Sequence, residues 1–149
     1  MRKLISIFLL MASLFTVIEP GFALDEERTY KSVLKIRTYD YNVTNDTYSL
    51  SHIGSAVAIG SGLLLTNAHV VFDQVQEKPT GYYEVCRTLD FRKKAVCFTT
   101  GELLAYDESS DLAIVRYTQP VDLPGVSLFE ESRVGIGASI IMYGYPGIG

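Results

Sequence analysis

The 149-residue chain has no tryptophan, two cysteines and two histidines. No C-x-x-C pair occurs, and Cys86, Cys97, His52 and His69 do not fall at metal-ligand spacing, so no zinc site, other metal or cofactor is expected. Basic residues are too few for a nucleic-acid partner. Lys and Arg total 13 against 17 Asp and Glu, a net charge of −4. The one basic cluster, Arg92-Lys93-Lys94, reads as a solvated hairpin tip. After the first two dozen residues no long 3.6-residue period appears, which excludes a helical bundle. Internal repeats and low-complexity tracts are also missing.

What remains is short, apolar and strand-like. Arg2-Lys3 precedes an apolar run from Leu4 to Ile18, broken only by Ser6, Ser13 and Thr16. Glu19-Pro20 ends that run, and Gly21-Phe22-Ala23 offers the small residues a signal peptidase reads. Residues 1–23 are therefore expected to be a secretory signal peptide, with an uncleaved anchor as the alternative. No cysteine lies near the cut to carry a lipid. Without Arg2, Lys3 and Glu19 the net charge moves to −5. A secreted or periplasmic location, with no stable membrane insertion after cleavage, follows as an expectation.

Residues 24–30 are charged and read as a flexible lead-in. Ser32 to Arg37 alternates, with Leu34 and Ile36 on one face and Lys35 and Arg37 on the other, as a half-buried strand does. Asp40 to Ser51 is polar, carries the sequons Asn42-Val43-Thr44 and Asn45-Asp46-Thr47, and reads as an exposed loop. Gly54 to Ile59 is a second strand. Gly60-Ser61-Gly62 turns it into a third, Leu63 to Leu65. Thr66-Asn67 then hands the chain to Ala68-His69-Val70-Val71, a single tight turn. Gln74 to Gly81, with Pro79, is a loop.

Tyr82 to Arg87 and Lys94 to Thr99 form a hairpin around Asp90 to Lys93, and Cys86 and Cys97 lie symmetrically about that tip. With a secretory leader they are expected to pair as a disulfide, the alternative being two buried thiols. Glu102 to Tyr106 continues the sheet, Asp107 to Ser110 turns, and Asp111 leads into the strand Leu112 to Tyr117. Gln119 to Glu131 is linker-like, and Ala138 to Tyr143 reads as a last strand before a closing turn.

A histidine beside an apolar strand is usually a structural residue, and an aspartate before a strand usually caps a turn. Asp111 sits where its carboxylate should be partly buried, and a buried charge needs a partner. Together, Thr66-Asn67-Ala68-His69-Val70-Val71 and, 42 positions later, Asp111-Leu112-Ala113-Ile114-Val115 resemble the trypsin-like serine peptidases, closest to the secreted bacterial branch with the Deg-type periplasmic proteases. Gly54-Ser55-Ala56, Gly60 and Tyr143-Gly144-Tyr145-Pro146-Gly147 extend the resemblance.

The resemblance implies an all-β, chymotrypsin-like double β-barrel. The first barrel would span 31–118, with a linker and the start of a truncated second barrel over 119–149. It implies protein or peptide substrates, His69 as general base and then general acid, and Asp111 as the group that orients it. The family's nucleophile lies in a Gly-x-Ser-Gly-Gly context, which this sequence does not contain. Ser55 and Ser61 precede the histidine strand, Ser109 and Ser110 flank Asp111, and Ser139 lies in an expected strand. A fragment of a serine endopeptidase, inactive as it stands, is therefore expected. A non-catalytic pseudoprotease or secreted peptide-binding β-module is the alternative. No Ile-Val-Gly-Gly start occurs around Thr29 to Arg37, so activation by a freed N-terminus is not expected.

Overall fold

A computed structural model describes residues 26–73, 78–79, 81–88, 90, 92–118, 121–126 and 135–146. The expected signal peptide lies outside them. Helix α1 (Glu26–Ser32) opens the described chain. Residues 26–30 of the expected loose lead-in are thus helical. Its acidic residues sit in the first turn and Lys31 in the last, matching the helix dipole. Lys31 also pairs with Glu27 one turn earlier.

Six strands follow in the barrel: β1 (Val33–Asn42), β2 (Thr47–Gly60), β3 (Leu63–Thr66), then, after a one-turn helix α2 (Ala68–Val71) and a small hairpin of β4 (Phe72–Asp73) with β5 (Lys78–Pro79), β6 (Tyr82–Arg87), β7 (Val96–Asp107) and β8 (Leu112–Tyr117). The barrel closes in the order β1-β2-β3-β8-β7-β6, every pairing antiparallel. A six-stranded sheet must curve sharply to close. Register shifts at Thr38/Tyr39, Ala58/Gly60, Val85/Cys86 and Leu103/Ala105 supply the bends.

The alternation expected for β1 holds, with Leu34 and Ile36 fully buried. They pack with Ala56, Ala58, Leu64, Val70, Val71, Tyr83, Val85, Ala113 and Val115. Several inward positions are small because the barrel is narrow. At Gly101 an added Cβ would lie 2.6 Å from Val115 Cγ1. The turn between β2 and β3 has positive φ at both Ser61 (54°) and Gly62 (75°), the requirement of a two-residue type I′ hairpin turn.

Three further expectations change. The stretch from Asp40 to Ser51 is the end of a hairpin, not a loop. Tyr41 pairs with Tyr48 and Asn42 with Thr47, leaving only residues 43–46 as the turn. Cross-strand tyrosine packing, with the Tyr41 and Tyr48 ring centroids 5.1 Å apart, carries the ladder outward past the polar composition. Lys78–Pro79, inside the expected loop Gln74 to Gly81, pairs with Phe72–Asp73. Ala138 to Tyr143 is not a strand. Its apolar residues Ile140, Ile141 and Met142 are exposed, and among the described residues nothing pairs with it, so its backbone has no ladder to join.

The linker-like connection is tied down over residues 121–126. Val126 N–H donates to Ala58 O at 2.9 Å, Arg28 Nη2 to Gly125 O at 3.1 Å, and Leu123 enters the core.

Candidate active site

The sheet order explains how residues 42 positions apart can meet. Strand β3 runs antiparallel to β8, with Thr66 opposite Ala113. The last residue of β3 and the first of β8 therefore lie at the same barrel edge. His69 follows the first and Asp111 precedes the second.

Three contacts seat α2 there. Gly54 has no side chain because Val70 presses on it; an added Cβ would lie 2.5 Å from Val70 Cγ2. Tyr83 Oη donates to Val71 O at 3.0 Å across the core. Phe72, just past the helix, stacks on Tyr106 at 4.7 Å between centroids.

Asp111 grips the other side. Its Oδ2 lies 2.8 Å from His69 Nδ1, and its Oδ1 accepts the His69 backbone N–H at 3.0 Å. Asn67 Nδ2 donates to Asp111 Oδ2 and to Asp111 O, both at 3.1 Å. An ionised carboxylate only accepts, so Nδ1 is the protonated ring nitrogen and the lone pair sits at Nε2. The His69 side chain is 55% exposed and that of Asp111 42%, so the pair opens to solvent on one side.

The backbone N–H of His69, above all, holds the Asp111 carboxyl below the usual carboxylate range. The imidazole hydrogen bond adds to this. Partial burial opposes it, and attraction to His69 and the Asn67 amide reinforce it. Asp111 itself adopts φ 51°, in the left-handed region, at the end of a turn closed by its N–H on Glu108 O. In that turn Asp107 accepts from Ser109 N–H, Ser109 Oγ and Ser110 Oγ. Asp107 thus caps this turn, whereas Asp111 faces away toward α2.

Among the serines, Ser109 and Ser110 are engaged by Asp107. Ser55 Oγ accepts the Tyr145 N–H at 2.7 Å, and Tyr145 Oη in turn accepts the Thr88 N–H at 2.9 Å. Ser139 is exposed and outside any strand. His52 lies on β2, opposite Thr38, and its Nδ1 meets Ser51 Oγ at 2.6 Å.

Cys86 and Cys97 are register partners on β6 and β7 and form a disulfide. Their sulfurs and the Glu84 carboxylate lie within 4.8 Å of one another. Bonded sulfurs are not thiolate ligands, and Glu84 is committed to Arg37 and Tyr39. A cavity of about 900 Å³ is lined in part by Tyr30, Tyr143, Tyr145, Lys93 and Lys94. It includes neither His69 nor Asp111.

Asn67 is the site residue that sequence reasoning left without a role. The available signal was an N-cap asparagine between a buried strand and a histidine.

The family model described as the trypsin-like peptidase domain matches residues 54–149. No curated protein matches the chain.

Proposed function

Because the chain belongs to the trypsin-like peptidase domain family, we propose that it supplies the general base and its orienting carboxylate to a serine-type endopeptidase. The observation that carries this reading is the 2.8 Å contact between His69 Nδ1 and Asp111 Oδ2 on a half-exposed ring. His69 Nε2 takes the proton of a serine hydroxyl as its oxygen bonds the scissile carbonyl carbon. It then passes that proton to the amine as the C–N bond breaks. A water molecule repeats the sequence on the acyl-enzyme and restores the serine. Asp111 keeps Nδ1 protonated and stabilises the imidazolium between the steps.

The substrates are proteins or peptides. The serine and its oxyanion-hole amides belong to a Gly-x-Ser-Gly-Gly motif that these 149 residues lack. Cleavage is therefore assigned to a chain extended through such a motif, and the 149 residues alone are inactive. The apolar leader and the Cys86–Cys97 disulfide support a secreted or periplasmic protein. The Thr66 to Val71 motif supports the Deg-type branch.

A casein-cleavage assay on the extended chain tests the reading. Hydrolysis abolished by His69→Ala is expected. Hydrolysis that survives the substitution overturns it. A second reading is a non-catalytic module that binds peptides. An intact downstream frame with no Gly-x-Ser-Gly-Gly would select that reading.

A further inference from the structure

The geometry points to Asn67 as a positioning residue that clamps Asp111 in place for His69. The functional meaning of the clamp rests on the peptidase reading, which it deepens.

Asn67 is the N-cap of α2, with φ −78° and ψ 145°. A short polar side chain there ordinarily accepts an N–H from the helix's first turn. Asn67 makes no such bond. The His69 N–H in that first turn goes instead to Asp111 Oδ1, from a turn 42 residues away in sequence. The capping role has passed to Asp111, and Asn67 is released to hold the residue that took it.

One amide group makes both bonds of the clamp. Nδ2 donates to the main-chain oxygen and to Oδ2 of Asp111. Both partners are acceptors, so only the NH₂ end of the amide satisfies them. The first bond fixes the backbone of a residue in the left-handed region, which non-glycine residues enter at some cost. The second fixes the carboxylate. Asn67, Ala68 and His69 are consecutive, so these three bonds to the Asp111 carboxylate come from one tripeptide. The base and its orienting group are thereby locked to each other within this barrel.

The test is a carboxyl ¹³C NMR titration of Asp111 in wild type, Asn67→Ser, Asn67→Ala and Asn67→Asp. Asp107 serves as an internal control. Serine is as good an N-cap as asparagine but is too short to hold both oxygens. Asn67→Ser therefore keeps a residue suited to the N-cap position, removes the clamp and keeps the test open if Asn67→Ala fails to fold. An upward shift of the Asp111 midpoint is expected in the serine and alanine variants. The shift should be largest in Asn67→Asp, where a like charge faces the carboxylate. Asp107 should not move. The His69 Nδ1–H resonance should broaden by faster exchange in all three variants.

A wild-type Asp111 titration in Asn67→Ser overturns the inference, because the Asn67 amide then does not hold the carboxylate. Equal shifts at Asp107 and Asp111 also overturn it, because the turn has then simply loosened. The readout needs no turnover. An extended chain that cleaves nothing while Asp111 shifts defeats the peptidase reading alone. Intact cleavage with an unshifted Asp111 defeats the clamp alone.

Discussion

Asp111 holds His69 twice, through the main-chain N–H at 3.0 Å and the ring Nδ1 at 2.8 Å. One carboxylate thus caps the helix and orients the imidazole that the helix carries. Structural and chemical roles cannot be separated by removing the whole side chain.

Asp111→Asn keeps the shape and removes the charge. An amide nitrogen turned toward Nδ1 would force the proton onto Nε2 and cost the ring its basic face. In an extended, cleaving chain, turnover is expected to fall by about 10⁴, the scale known for amidating a triad aspartate. Single-turnover kinetics with a chromogenic peptide would measure it. A fall below tenfold would count against the orienting role.

Asp107 gives a pH signature free of the histidine. The Ser109 hydroxyl first, then Ser110 and the Ser109 N–H, hold its carboxyl below the usual range. A depressed folded value means the stabilisation is fully present above the ordinary value of about 3.9 and is lost as pH falls through the folded value. The Tm gap between wild type and Asp107→Asn should therefore be constant near neutral pH and close as pH falls below the ordinary carboxylate value. A gap that widens in acid would reverse the sign of the argument.

Gly54→Ala should destabilise the fold by roughly 1–3 kcal/mol, because its Cβ meets Val70 at 2.5 Å. Urea unfolding followed by tyrosine fluorescence would report it. Adding Val70→Ala should recover much of the loss. No recovery would mean that Gly54 is required for its backbone and not for the space above it.

Reducing Cys86–Cys97 should lower stability by roughly 2–3 kcal/mol, the loop-entropy contribution of a short closed segment. The urea midpoint with and without a dithiol reductant gives the value. Cys86→Ala/Cys97→Ala should match the reduced protein, and a double variant as stable as the oxidised chain would refute the assignment.

Much of this architecture was legible because it rests on local pattern. Leu34 and Ile36 against Lys35 and Arg37 fixed the faces of β1, and the symmetry of Cys86 and Cys97 about Asp90 to Lys93 fixed a register that the sheet reproduces. The proximity of His69 and Asp111 was legible only through resemblance, since it depends on β3 lying beside β8. The hairpin end at Tyr41 and Tyr48 was hidden by polar neighbours, because ring packing across strands leaves no period in one strand. Ala138 to Tyr143 misled in the opposite way. Its apolar composition suits a strand, but strands exist through their partners. Asn67 could not be assigned at all, because its partner lies on a remote turn.

The borrowed cap on α2 also sets an order of events. A four-residue helix has too few internal bonds to persist alone. Its N-terminal amide is satisfied by a side chain that emerges from synthesis 42 residues later. During translation the His69 turn stays unlatched until β8 docks beside β3. The proposed general base thus takes shape in the same step that closes the barrel, and an incomplete chain displays no His69–Asp111 pair. Hydrogen exchange at the His69 amide should therefore track opening of the β3–β8 pair, not fraying of the helix.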